Sequence, residues 1–208
     1  MNFSNEINQL EHTHNTEDFI ILKGNIPILF SAPHTIPQNF KNGSIKLNEP
    51  YTKAIALYLN KYCNTYSIAK TNDTGIDSNR DIYDKYNTGM RRLIKEHKID
   101  LVIDLHGASK ERDFDIEFGT LNNLSADFST IKELEEAFKE NGITNIKHNE
   151  TFKGGAITQG IFGLTDADVI QLEINGKFRD SNNLSLLEQL VKSLENFVQQ
   201  YKEHISLF

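Results

Sequence analysis

One run of seven residues, Leu101-Val-Ile-Asp-Leu-His-Gly107, constrains the fold of this chain more than any other segment. Four of its first five residues are apolar, which is typical of a strand buried on both faces of a parallel or mixed sheet. The C-terminal ends of such strands carry ligands and catalytic groups, because the backbone leaves the sheet there. His106 stands at that end, and Asp104, two positions earlier, lies on the same side of the strand. We therefore expect Asp104 to orient the His106 imidazole as a hydrogen-bond acceptor.

Two further apolar runs carry a histidine or an acid that could bind a metal or take part in catalysis. The run that starts at Ile26 ends in His34, and the run Val169-Ile-Gln-Leu-Glu173-Ile places a glutamate inside a strand. A single histidine at a strand end is more often a structural, hydrogen-bonded imidazole than a ligand. Two such histidines together with a buried acid favour a metal site, in the first place a zinc site.

A catalytic zinc takes three protein ligands and keeps one position open. His34 and His106 are candidates for two of them. Glu49 is the first choice for the third, because it precedes a predicted helix whose N-terminus stabilises a negative charge. Asp73 and Asp77 in a polar loop are alternatives, and Glu49 is equally compatible with an ordinary acid at the start of a surface helix.

Glu173 is the candidate general acid and base. An ionised, unpaired carboxylate in a strand of this kind costs several kcal/mol, so function or an ion pair must offset that cost. Beside an activated water it can accept a proton and later deliver it to a leaving nitrogen. The structural alternative is a salt bridge to Arg80 or Arg179.

Two other segments concern substrate binding. Asn79 and Arg80 place an amide beside a planar guanidinium, a pair suited to gripping a carboxylate. The segment Lys153-Gly154-Gly155 lacks the order of residues of a Walker A sequence, so we exclude nucleotide binding.

The remaining pattern predicts a three-layer α/β/α sandwich with a mixed, mostly parallel sheet, as in phosphorylase-like and hydrolase-like folds. Phe19–Leu22 and Ile26–Ser31 are expected to be strands joined by a tight hairpin at Gly24-Asn25. The other expected elements are a helix from Pro50 to Tyr62, a strand at 66–70, a loop at 71–81, a helix at 83–97, a strand at 114–118 with Asp115 and Glu117 on one face, and helices at 131–140 and 184–201.

Bulk properties narrow the function further. The 208 residues suit one domain, 1–208, and the net charge of −7 without a basic block argues against nucleic acid or an anionic membrane as a partner. A small-molecule substrate is expected.

The single cysteine, Cys63, is expected to be a small core residue. The N-terminal residues lack the pattern of a signal peptide, which predicts a cytoplasmic protein. A homo-oligomer is left open.

In this order, the segments resemble the N-formylglutamate amidohydrolase family, zinc-dependent relatives of carboxypeptidases and aspartoacylases. The matching segments are Ser31–His34, Ile76–Arg80, Ile103–Gly107, Phe118–Thr120, Phe152–Thr158 and Gln171–Asn175. The resemblance implies that His34, His106 and an acid at the position of Glu49 bind one Zn²⁺ or another divalent ion. It also implies that Glu173 is the catalytic acid and base, that Asn79 and Arg80 hold a substrate carboxylate, and that Gly154 and Gly155 line the pocket.

The sequence thus predicts a zinc-dependent hydrolase of a small N-acyl amino acid, such as an N-formyl amino acid. A zinc peptidase or a deacylase of another conjugate is the alternative within the enzyme class. Outside it, an inactive relative that only binds a carboxylate ligand remains open.

Overall fold

The computed structural model describes residues 2–205 and has a mixed seven-stranded sheet at its centre. The elements in chain order are α1 (Phe3–Glu11), β1 (Phe19–Leu22), β2 (Ile26–Ala32), β3 (Gln38–Asn39), β4 (Ile45–Lys46), α2 (Thr52–Cys63), β5 (Thr65–Lys70), α3 (Lys85–His97), β6 (Leu101–Ala108), β7 (Ile116–Gly119), α4 (Phe128–Glu140), β8 (Ile146–His148), α5 (Ala156–Leu164), β9 (Asp168–Asn175), a 3₁₀ helix (Gly176–Arg179) and α6 (Leu184–Ile205).

The strand order of the sheet is β1-β5-β2-β6-β9-β7-β8. The central strands β5, β2, β6 and β9 are parallel, whereas β1 is antiparallel to β5 and β7 is antiparallel to β9. A separate two-stranded sheet is formed by β3 and β4. The predicted mixed, mostly parallel sheet between helices is therefore confirmed.

The predicted hairpin between the first two strands is wrong. β5 lies between β1 and β2, so β2 pairs with β5 and β6 in parallel and makes no ladder with β1. The physical reason is that β2 is apolar on both faces and is buried most favourably in the middle of a parallel sheet.

Several predicted boundaries also move. The helix expected from Pro50 begins at Thr52, because Tyr51 has a left-handed backbone conformation with a φ of 66°. The strand expected at 114–118 covers Ile116–Gly119, so Asp115 precedes it, while Glu117 is fully buried. Helices α1 and α5 were not predicted.

The two faces of the sheet carry different cores. On one face, α1, α2, α4 and α6 cover the large core cluster, to which α6 contributes Leu187, Leu190, Val191, Leu194 and Val198. On the other face, α3 and α5 pack over a smaller cluster that includes Leu29, Val102 and Val169. Beyond these residues, towards the C-terminal ends of the parallel strands, the same face becomes polar, and this polar half is where the site lies.

Within residues 2–205, no helix combines the length and the apolar character that a bilayer span requires.

Candidate metal centre and active site

Three side chains from distant parts of the chain converge at the C-terminal ends of β2 and β6. The Nδ1 atoms of His34 and His106 are 3.1 Å apart. Glu49, in the segment before α2, places Oε1 3.0 Å from His34 Nδ1 and Oε2 3.5 Å from His106 Nδ1. The structure therefore brings together all three residues that the sequence suggested as metal ligands, with their donor atoms within 4.8 Å of one another.

The outer nitrogen of each imidazole faces a carboxylate. His34 Nε2 lies 2.9 Å from Asp77 Oδ1, and His106 Nε2 lies 2.7 Å from Asp104 Oδ2. For metal binding both histidines must be neutral, and the contacts with Asp77 and Asp104 then place the ring proton on Nε2 and leave two Nδ1 lone pairs facing each other beside the Glu49 anion. Without an ion, a protonated Nδ1 can donate to Glu49 instead. The two Nδ1 atoms, 3.1 Å apart, lie near the edge length of about 3.3 Å in a tetrahedron with bonds of 2.0–2.1 Å, and each lies 3.0–3.5 Å from one of the two Glu49 oxygens. These residues fit an ion of the size of Zn²⁺.

The pKa values of the site show a cluster that attracts positive charge. Burial raises the pKa of Glu49, but hydrogen bonds from His106 and His34 more than offset this and hold it well below its usual value. Burial likewise opposes ionisation of Asp77, yet contact with His34 lowers its pKa to about 2. Burial lowers the pKa of His106, whereas the charges of Asp104 and Glu49 raise it well above its usual value overall. The carboxylates are anionic and favour a cation among them.

Glu173 lies beside this cluster, because it is the register partner of His106 on the neighbouring strand β9. Its side chain is buried, and Gln171 Nε2 donates a hydrogen bond of 2.7 Å to Glu173 Oε1. Gln171 in turn accepts a hydrogen bond of 2.6 Å from the Gly155 backbone. Burial raises the pKa of Glu173 above its usual value. A buried carboxylate with a raised pKa, facing a cavity, has the properties of a general acid and base.

Neither of the ion pairs considered for Glu173 is seen in the described part of the chain. Arg179 instead donates to three backbone carbonyl oxygens, at the ends of β6 and β9 and before α2. Arg80 is 84% exposed, and its Nε lies 3.5 Å from Asp77 Oδ2. No salt bridge among residues 2–205 thus accounts for the buried acid.

A cavity of about 430 Å³ opens over the cluster. It is lined by His34, Lys46, Glu49, Asn79, His106, Gly107, Thr151, Phe152, Lys153, Gly154, Gly155, Gln171 and Glu173. Asn79, Gly154 and Gly155, three of the predicted substrate-binding residues, are among these lining residues, whereas Arg80 is outside this lining. Gly154 has a φ of 106°, which favours glycine. A Cβ on Gly155 would come within 2.1 Å of Asn79 Oδ1, so this glycine is needed for the close approach.

Asp73 and Asp77, the two alternatives to Glu49 as the third metal ligand, occupy different positions relative to the histidines. Asp77 contacts the outer nitrogen of His34, and Asp73 binds the backbone of Asn39 and Gly75 instead of either histidine. Sequence reasoning gave no role to Lys46, which lines the cavity from β4.

The role of Gln171 in holding Glu173 was also missed. Two polar residues separated by one position in an apolar strand share a face, so the spacing of Gln171 and Glu173 was a usable signal. Lys46, in a polar segment without periodicity, gave none.

Fold and site together define a class, namely α/β proteins whose sheet presents a His–Glu–His donor set beside a buried carboxylate, a donor set of the kind that can hold a zinc ion. The sequence model of the N-formylglutamate amidohydrolase family matches residues 69–178, which is more than half of the chain. The chain belongs to this family, and the resemblance noted in the sequence is confirmed.

Solved structures share the fold. N-formylglutamate amidohydrolase from Ralstonia eutropha JMP134 matches with a TM-score of 0.64 at 13% identity, over 90% of this chain and 99% of that chain. A bacteriophage poly-gamma-glutamate hydrolase matches with a TM-score of 0.58 at 13% identity, over 94% of both chains. The apo, zinc-free form of the protein YNDL matches with a TM-score of 0.53 at 18% identity, over 92% of this chain and 95% of that chain. Comparison with curated protein sequences gave no match.

Proposed function

We propose that this chain is a zinc-dependent amidohydrolase that cleaves the amide bond of a small N-acyl amino acid, in the first place an N-formyl amino acid. The observation that carries the proposal is the face of three donors formed by His34, His106 and Glu49, with Glu173 buried in the same cavity. Membership of an amidohydrolase family and the zinc-free form of one structural neighbour support it.

Each residue has a defined task in the proposed mechanism. His34, His106 and Glu49 would hold the ion, and a bound ion would supply polarisation of the substrate carbonyl and a more acidic water. Glu173 accepts a proton from the attacking water and passes it to the leaving amine nitrogen. Gln171 fixes the orientation of the Glu173 carboxylate through the 2.7 Å hydrogen bond.

The substrate occupies the same cavity. Gly154 and Gly155 line it and let the backbone approach the ligand, and Asn79, also in the lining, is assigned to a substrate carboxylate. Arg80, which is 84% exposed and outside the lining, is assigned to a substrate carboxylate that projects out of the cavity.

The test is hydrolysis by the purified, zinc-supplemented protein of N-formyl, N-acetyl and N-succinyl amino acids, short peptides and poly-γ-glutamate. We expect turnover of the N-formyl or N-acyl amino acids and its loss in Glu173→Gln, with the zinc content of the variant unchanged. Glu140→Gln, on an exposed helix end, is the matched control.

Hydrolysis by Glu173→Gln at the parental rate would contradict the role of Glu173. Preferential cleavage of peptides or of another conjugate would favour the peptidase or deacylase alternative. Failure to take up stoichiometric zinc, together with no turnover, would favour a carboxylate-binding protein without activity.

A further inference from the structure

We propose that Lys46 determines specificity by binding a carboxylate of the substrate, an inference that rests on the proposed function. Lys46 lies on the small sheet formed by β3 and β4, outside the central sheet, and its side chain lines the cavity above the His34 side of the cluster. It brings a positive charge into a cavity that also holds the buried acid Glu173.

The ammonium group of Lys46 forms only long ion pairs with its acidic neighbours. Lys46 Nζ is 3.7 Å from Glu49 Oε1 and 4.0 Å from Asp77 Oδ2, beyond hydrogen-bond distance in both cases. Asp77 accepts hydrogen bonds from His34 Nε2 and from the Asn79 backbone, and Glu49 accepts one from the Gly107 backbone. Lys46 therefore makes no short hydrogen bond to either carboxylate, and its side chain is 31% exposed and lines the cavity.

Arg80 is placed differently. Its side chain is 84% exposed and approaches the same Asp77 oxygen as Lys46, but from outside the cavity lining. Of these two cations, only Lys46 is in place to meet a ligand inside the cavity. A compact ammonium binds a carboxylate as a point charge, without the paired geometry that a guanidinium offers.

A divalent ion held by Glu49 would strengthen the assignment of Lys46 to a substrate carboxylate. When Glu49 shares its charge with a divalent cation, the attraction between Glu49 and Lys46 weakens. The ammonium is then free to turn to a substrate anion within reach of the catalytic groups. Lys46 would thus select for an anionic substrate.

The experiment compares N-formylglutamate with its two monoamides, in each of which one carboxylate is replaced by a neutral amide. KM and kcat are measured for the parent, Lys46→Met, Lys46→Arg and Arg80→Met. Lys41→Met, on the exposed turn of the same small sheet, is the matched control for the change in net charge. We expect Lys46→Met to raise KM for N-formylglutamate about ten- to a hundred-fold, with kcat little changed.

The expected loss has a specific pattern. It disappears for one of the two monoamides, and Lys46→Arg restores most of the affinity. Equal loss for all three compounds, no loss, or a selective loss in Arg80→Met instead would overturn the inference.

A binding measurement separates this inference from the proposed function. Calorimetric binding of N-formylglutamate and its monoamides to the zinc-loaded Glu173→Gln protein, with and without Lys46→Met, needs no turnover. A selective loss there supports Lys46 even if the chain hydrolyses nothing. Turnover with an unselective effect of Lys46→Met overturns the role of Lys46 and leaves the hydrolase proposal intact.

Discussion

At the scale of single residues, the site depends on which nitrogen of each histidine carries a proton. Asp77 and Asp104 each accept from an outer nitrogen, which turns both inner nitrogens towards Glu49. Asp104 is itself fixed by a 2.7 Å hydrogen bond from Ser31 Oγ. The carboxylates behind the histidines therefore set the geometry of the ligands, as expected where such partners tune a metal site.

Glu173 gives a prediction about stability and pH. Its pKa is raised by burial in the folded chain, so the folded state binds more protons than the unfolded state between the ordinary and the raised pKa. Stability is consequently lost as the pH rises through that window and stays lower above it. Glu173→Gln removes this cost and keeps an oxygen that can accept from Gln171.

We expect metal-free Glu173→Gln to melt at a higher temperature than the metal-free parent at neutral pH, with the gap closing near about pH 4, where a free glutamate titrates. Thermal melts in the presence of a chelator measure this. A parent that is the more stable protein at neutral pH would show that Glu173 contributes to folding and would weaken its assignment as a catalytic group.

At the scale of elements, the sequence predicted the strands that carry the site, but it did not predict which strands pair with each other. β6 and β9 are apolar runs interrupted by polar residues at alternate positions, and this local pattern fixed both the burial and the polar face. The insertion of β5 between β1 and β2 is a long-range pairing that no local pattern contains.

Helix α5 was also missed, because local sequence patterns do not contain the contacts that form it. It contains two glycines, and Asn79, far away along the chain, provides contacts at its first turn: Asn79 Oδ1 accepts from Ile157 N at 3.2 Å and the Asn79 carbonyl accepts from Ala156 N at 3.3 Å. Its start therefore depends on tertiary structure. Local sequence patterns were enough to suggest the three ligand candidates and Glu173. They could not indicate Lys46, because its place in the cavity lining also depends on tertiary structure.

The loop between β8 and α5 gives a prediction at this scale. Glu117 of β7 accepts hydrogen bonds from the backbone of Thr151 and Phe152 through Oε1, at 2.6 and 2.9 Å, and so holds the loop that lines the cavity. Glu117→Ala leaves these donors without their acceptor, and we expect it to lower the free energy of unfolding by about 2 kcal/mol and to raise KM.

Urea unfolding and steady-state kinetics test this role of Glu117. Glu117→Gln keeps an acceptor oxygen and should lie close to the parent, whereas Glu150→Ala, in the exposed part of the same loop, is the control. An unchanged KM in a folded Glu117→Ala protein would show that the loop is positioned without this carboxylate.

At the scale of the whole molecule, the cluster joins parts of the chain that are far apart in sequence. His34 follows β2, Glu49 precedes α2 and His106 lies in β6, so their donor atoms meet only in the folded state. An ion bound there stabilises the folded state by mass action. Its positive charge also relieves the repulsion among the acids of a chain with a net charge of −7.

Zinc at a hundred times its dissociation constant should add about 2.7 kcal/mol of stability. For a chain of 208 residues this corresponds to a rise in melting temperature of roughly 5–10 °C. Melts of chelator-treated protein with and without added Zn²⁺ measure the shift independently of any activity. His106→Ala should lose most of it, because two donors bind the ion far more weakly than three, while His14→Ala, at an exposed position, should retain it in full. An equal shift in His106→Ala would mean that zinc binds elsewhere on the molecule, and the cluster would then be a hydrogen-bonded network whose charges are balanced by protons alone.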